Sequence, residues 1–228
     1  MAKKIVKKNK LKLIPVLIML LILFLLFTLT YIVINIKTKN IYIHGNLYLT
    51  DEYIIDTLGF SDYPSITSTP TWELEGRLEK TPYITNATIK KKFFGVLDVT
   101  VEENELLFYR KYDSKYVFKN MEETYELKYD VEPVVIINYI PDTEYPAFVN
   151  KFKNLSKDVI DKISEIKYDP TDFDTGRFLF YMIDGNHVYV TTTKLESINY
   201  YNDIYPTLDG KKGILYLDSG NHFQAFKK

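Results

Sequence analysis

The stretch Leu13–Ile34 constrains this chain most: 22 residues without a charged side chain, directly behind six lysines (Lys3, Lys4, Lys7, Lys8, Lys10 and Lys12). As an α-helix rising about 1.5 Å per residue it is about 33 Å long, enough to cross a hydrocarbon core of about 30 Å. Lysine-rich flanks stay on the cytoplasmic side. Residues 1–12 therefore read as a basic cytoplasmic tail, 13–36 as a membrane-spanning helix, and everything after Lys37 as lying outside. A cleaved signal peptide has a shorter apolar core, roughly 7–15 residues, followed by a small-residue cleavage site. Here the exit is Thr30-Tyr31-Ile32-Val33-Ile34-Asn35-Ile36, with no Ala-x-Ala, so an uncleaved anchor is expected. The rest of the chain must then work at a membrane surface, away from ATP and other cytoplasmic cofactors.

Charge and composition narrow that work further. Residues 1–37 hold seven lysines and no acid, leaving 22 basic against 30 acidic residues beyond them, a formal net charge of −8. An acidic outer part argues against nucleic acid and against gripping anionic headgroups through the folded portion. The absence of cysteine excludes disulfides and thiolate metal sites. An apolar core must hold the fold together, and 20 tyrosines and 14 phenylalanines with only nine glycines suit aromatic-packed strands.

Beyond the anchor, Ile41-Tyr42-Ile43-His44 alternates and stops at the turn pair Gly45-Asn46. Thr50 offers an N-cap, Asp51 and Glu52 suit the first helical turn, and Gly59 supplies the exit. A Ser/Thr/Pro-rich loop over 61–70 leads to a second helix with Trp72, Leu74 and Leu78 at its apolar positions, ending at Thr81-Pro82. Trp72 is expected to pack into the core. Residues 84–91 and 97–102 read as two strands joined by a Phe94-Gly95 turn, with Val99 and Val101 alternating against Asp98, Thr100 and Glu102. The order β-α-α-β-β makes one compact unit with a single sheet.

The second half opens with a hairpin, 106–111 and 115–118, and a short apolar run at 134–137. Helices are expected over Phe148, Phe152 and Leu155, and again from Ser156 through Val159, Ile160, Ile163 and Ile166. A hairpin turns at Asp184-Gly185-Asn186, a helix carries Leu195 and Ile198, and a last strand begins near Gly213. The fold class is thus α+β: one transmembrane helix, a β-α-α-β-β domain over 38–106, and a mixed, mainly-β domain over 107–228.

In this order and spacing the chain resembles the FtsQ/DivIB family of bacterial division proteins. The residues that carry the resemblance are the basic tail and single anchor, Ile41-Tyr42-Ile43-His44-Gly45-Asn46, Leu49-Thr50, Thr81-Pro82-Tyr83-Ile84 and Val99-Thr100-Val101-Glu102-Glu103. Ile163-Ser164-Glu165-Ile166, Asp184-Gly185-Asn186-His187-Val188 and Gly213-Ile214-Leu215-Tyr216-Leu217-Asp218-Ser219-Gly220 continue it. The first domain looks like the family's POTRA module. One departure is Glu103-Asn104-Glu105, where the family pattern has an arginine after the second-strand acid. The resemblance implies a non-catalytic division scaffold at the septum. Its partners would be small single-pass proteins of the FtsL and FtsB/DivIC type, captured by strand addition to the β domain near its C-terminal strand. With so short a tail, a cytoplasmic signalling role is not expected.

Residues 214–218 read as that terminal strand, limited by Gly213 and Gly220, with Tyr216, Leu217, Asp218, Ser219 and Phe223 as contact residues. An interior strand, or an edge covered by the last residues, is the alternative. No metal, cofactor, nucleic acid or small-molecule substrate is expected. The histidines His44, His187 and His222 lie in separate segments, and Ser164-x-x-Lys167 lacks the companion motifs of serine enzymes. Asp169, Asp172 and Asp174 do not fit a calcium loop, since Arg177 stands where glycine is needed. A membrane-tethered cell-wall hydrolase is the alternative function, and convergent carboxylates in a deep pocket would mark it. Lys90-Lys91-Lys92 beside Phe93-Phe94 reads as a solvated hairpin tip, with lipid or an acidic partner as the other possibility.

Overall fold

The computed structural model describes residues 13–227. The lysine tail expected on the cytoplasmic side, 1–12, lies outside the described residues. The chain divides into two compact units. One holds the apolar helix with 51–78 and 87–101, and the other holds 102–228 together with the short segments 45–50 and 79–86.

In the first unit α1 (Leu13–Ile34) buries none of its residues and is long and apolar enough to cross a membrane. Strand β1 (Asn40–His44) follows, then α2 (Asp51–Leu58) and α3 (Thr71–Glu79). The hairpin strands β2 (Ile84–Lys92) and β3 (Val96–Glu103) complete a sheet of order β1-β3-β2. β1 runs parallel to β3, with Asn40 opposite Val96 and His44 opposite Thr100. The alternation in β3 behaves as the sequence requires, with Leu97, Val99 and Val101 buried and Thr100 exposed. The helices bury Ile54 and Leu58 from α2 and Leu74 and Leu78 from α3. Arg77 donates from Nη1 to the Leu58 carbonyl at 2.7 Å, satisfying a carbonyl at the end of α2. Trp72, expected in the core, is instead 72% exposed. It stands at the second position of α3, about half a helical turn from Leu74 and so on the side away from the buried Leu74 and Leu78.

The second unit is built on a nine-stranded sheet. It begins with β4 (Leu106–Arg110), β5 (Lys115–Phe118), β6 (Glu123–Thr124) and β7 (Val135–Ile136). The helices α4 (Tyr145–Phe152) and α5 (Lys157–Ile160) come next, followed by β8 (Ile163–Tyr168), β9 (Arg177–Met182) and β10 (His187–Thr191). After a 3₁₀ stretch come α6 (Tyr201–Ile204), β11 (Gly213–Tyr216) and β12 (His222–Ala225). The spatial order is β12-β11-β10-β9-β8-β7-β4-β5-β6. Phe148 stacks on Phe178 with centroids 4.5 Å apart and meets Phe108 and Phe152, forming the aromatic centre of the core. Each such ring, fully removed from water, contributes about 1.5–3 kcal/mol by transfer.

Two sequence expectations are corrected here. The helix expected through Ile166 stops at Ile160, and 163–168 is the strand β8, paired with β7 and β9. A register shift between Ile163 and Glu165 lets Ile163 and Ile166, three residues apart, both turn inward. That spacing imitates a helix, and a β-bulge is its physical origin. The helix around Leu195 and Ile198 is a 3₁₀ stretch, Thr192–Tyr200, with both side chains buried. The departure at 103–105 also has a structural role. The Glu103 carboxylate accepts the N–H groups of Tyr48 and Leu49 at 2.8–3.1 Å, and Asn104, 1% exposed, donates to the Pro82 carbonyl at 2.8 Å.

Candidate functional site: the C-terminal sheet edge

The end of the chain builds its edge around one buried polar residue. Asn186, fully buried in the turn between β9 and β10, donates to the Tyr201 hydroxyl at 3.1 Å and accepts the Gly213 N–H at 3.0 Å. Tyr201 in turn donates to Asp184 at 2.6 Å, and burial raises the pKa of its phenol, so it stays a donor at neutral pH. This fixes where β11 starts. β11 then runs parallel to β10, with Tyr189 opposite Tyr216.

β12 lies antiparallel on the other side of β11, with Tyr216 opposite His222 and Gly213 opposite Ala225. Gly213 is required there, because a Cβ would sit 2.2 Å from the Gln224 carbonyl oxygen and 2.7 Å from the Phe223 ring. Phe226 donates its N–H to the Lys212 carbonyl at 2.9 Å. Since antiparallel pairs alternate, Gln224 and His222 also face β11 with their backbone groups. The N–H and C=O of Phe223 and Ala225 therefore point away from the sheet. Among the described residues no strand lies beyond β12.

The two faces of this edge differ. On one, His222 stacks on Tyr216 at 4.6 Å and Tyr216 on Tyr189 at 5.5 Å. The Arg177 guanidinium lies 3.4 Å over the Tyr189 ring, bonds Asp218 at 2.7 Å and approaches Asp169 at 3.5 Å. Burial works against the Arg177 charge, but Asp218 and Tyr189 together outweigh it and raise its pKa. Asp169 is held below the usual carboxylate range chiefly by Lys167, 2.9 Å away, despite its own partial burial. On the other face a groove of about 520 Å³ is lined by Tyr200, Ile204, Leu208, Leu215, Leu217 and Phe223.

The five residues expected as contacts fall into different roles. The strand that ends at Tyr216, just before Leu217, is interior rather than terminal, because residues after the turn add β12 outside it. Leu217, 3% exposed, belongs to the core, and its N–H donates to the Tyr189 carbonyl at 2.8 Å. Asp218 is tied to Arg177 on its side chain and accepts Lys194 on its carbonyl at 2.8 Å. Ser219 lies in the exposed turn, bonding Asp218 at 3.1 Å. Tyr216 is half-buried beneath His222, and only Phe223 lies on the outermost strand. Sequence reasoning named Gly213 as the strand's limit and Asn186 as a turn residue, but missed Gln224, Ala225 and the framing roles of Asn186 and Arg177. The turn Asp218-Ser219-Gly220-Asn221, followed by five residues without a charge, was the signal for β12. Among the described residues no group of three or more His, Asp or Glu side chains is placed to hold a metal.

One apolar helix, a β-α-α-β-β domain and a mainly-β domain define a POTRA protein, with one candidate membrane span among the described residues. Residues 36–104 match the POTRA domain, FtsQ-type. Over most of its length the chain is similar to bacterial proteins named cell division protein DivIB, and with the FtsQ-type POTRA domain this indicates a cell division protein. It is 25% identical to cell division protein DivIB of Listeria monocytogenes over 234 residues, covering 98% of this chain and 86% of that one. The DivIB of Bacillus subtilis is 26% identical over 206 residues, covering 84% of this chain and 75% of its own length. Among solved structures, the major extracytoplasmic domain of the trans isomer of DivIB from Geobacillus stearothermophilus matches 47% of this chain and 96% of that domain. The TM-score is 0.37 at 21% sequence identity.

Proposed function

We propose that this chain is a non-catalytic scaffold of the division septum, held by α1 with its N-terminus inside and its two folded units outside the membrane. In this reading β12 receives an extended segment from small single-pass partners of the FtsL and FtsB/DivIC type. The observation that carries it is the outward-facing backbone of Phe223 and Ala225 on a strand free of charged side chains. Unpaired strand groups of this kind are a template for another chain. Beside them the groove under Phe223 offers a place for an apolar side chain of the incoming segment. Confinement to one membrane raises the effective concentration of such partners, so modest contacts suffice for assembly.

The test follows from the alternation of the strand. Ala225→Pro removes an outward N–H and leaves the ladder to β11 intact, since proline is tolerated where the missing donor faces solvent. The full chain carrying it is expected to lose co-purification of FtsL- and DivIC-type partners from membranes while keeping its circular dichroism and melting temperature. Undiminished co-purification would remove β12 as the docking strand.

A further inference from the structure

The tip of the β2–β3 hairpin carries two of the most exposed apolar side chains outside α1, Phe93 at 88% and Phe94 at 82%. Phe94 adopts φ 64°, a left-handed conformation that bulky residues ordinarily avoid. No burial compensates it, and strain held at an exposed site points to a function of that site.

What covers this tip is indicated by what it is built on. The residues leaving α1 are bonded to the same end of the first unit. Ser65 and Thr67 donate their hydroxyls to the Ile34 carbonyl at 2.5 and 2.8 Å, Ile66 donates its N–H to Ile36 at 3.0 Å, and Thr38 donates to Pro64 at 2.9 Å. The tip joins this zipper directly. Lys39 donates its N–H to the Gly95 carbonyl at 2.7 Å, and a Cβ on Gly95 would lie 2.2 Å from the Lys37 carbonyl oxygen. Only glycine permits that approach, so the hairpin is laid backbone against backbone on the linker. Ile36, Ile66, Phe93 and Phe94 line one shallow apolar cavity of about 190 Å³.

Lys37 is three residues beyond the end of α1, at most about 10 Å of extended chain. The headgroup layer is roughly 5–8 Å deep on each side of the hydrocarbon. An element packed on Lys37 therefore sits at the depth of the headgroups. The adjoining charges match that place: Lys91 donates to the Thr69 carbonyl, Lys92 pairs with Asp98 at 2.5 Å, and Lys90 is exposed beside them. Aromatic side chains with flanking lysines are the composition that settles at a membrane–water interface.

We infer that the Phe93-Phe94 tip inserts into the outer leaflet of the same membrane, with Lys90 toward anionic headgroups, as a second attachment that sets the orientation of the POTRA sheet. This rests on α1 being a membrane anchor.

The chain has no cysteine, so single labelling sites can be placed cleanly. The full chain with Phe93→Cys carries an environment-sensitive fluorophore and is reconstituted alone into bilayers of phosphatidylcholine and phosphatidylglycerol. Nitroxide-headgroup lipid is present in one preparation and absent in the other. Phe94→Cys repeats the measurement, and Ile32→Cys reports the anchor. The inference expects at least a roughly twofold loss of fluorescence at 93 or 94 when the nitroxide is present, as for a side chain at headgroup depth. A quenched label at 32 with no quenching at either tip position overturns the inference and leaves the anchor standing. An unquenched label at 32 overturns the anchor and the inference with it.

Discussion

The two ends of the nine-stranded sheet solve the same physical problem in opposite ways. At one end β6 is only two residues long, and Glu123 within it is gripped by Arg110 and Lys115, each at 2.8 Å. Arg110 has a side chain only 8% exposed, and it also bonds Asp113 at 2.6 Å and the Tyr145 hydroxyl at 2.9 Å. Burial opposes its charge, but Tyr145, Asp113 and Tyr112 together outweigh it, and its pKa is raised. A short, charged, internally paired edge is one that other chains do not extend. At the other end β12 is four residues long, and none of them is charged. Its charges are set back, on Arg177 and Asp218, where they brace β11 rather than guard the rim. One edge is closed by ion pairs, and the other is held open by a frame.

Breaking the open edge should have the largest effect. Gly213→Val places carbon where the Gln224 carbonyl lies 2.2 Å from a bare Cβ position, so β12 must lift away. Partner co-purification is expected to fall below detection. Proteolysis should also cut near 222–226, while α1 and the three-stranded sheet keep their exchange protection. Breaking the closed edge should do less. Glu123→Ala takes one carboxylate from Arg110 but leaves Asp113 and Tyr145 in place. A loss of about 1–2 kcal/mol is expected, below the full cost of breaking a buried pair, because Arg110 keeps other partners. Urea unfolding of the full chain would measure it, with partner capture unchanged. A capture defect as large as that of Gly213→Val would erase the distinction between the two edges.

The two domains were unequally legible. In the POTRA domain Thr50, Asp51, the alternation over 97–101 and the Phe94-Gly95 turn each carry their own local signal, and the elements form where those signals lie. The β domain depends on pairing between distant segments. β8 takes its strand character from β7 and β9, and its bulge disguises the two-residue period as a helical one. β12 is four residues long, and the turn with the uncharged run behind it marks a strand without saying which strand it pairs with. The site was legible as a region, since Tyr216 and Phe223 both belong to it. Its outermost strand was not, because only topology tells whether a short apolar run near a terminus is the edge or its neighbour.

The central claim is that β12 offers its outward backbone to another chain, and residue-resolved hydrogen exchange on the full-length protein tests it most directly. In the chain alone, the Phe226 amide, bonded to Lys212, and the Gln224 amide should exchange slowly, and those of Phe223 and Ala225 quickly. On assembly with the membrane partners, the account predicts that the Phe223 and Ala225 amides slow by roughly tenfold or more, as ladder formation requires. Fast exchange at both positions in a fully formed complex would contradict it.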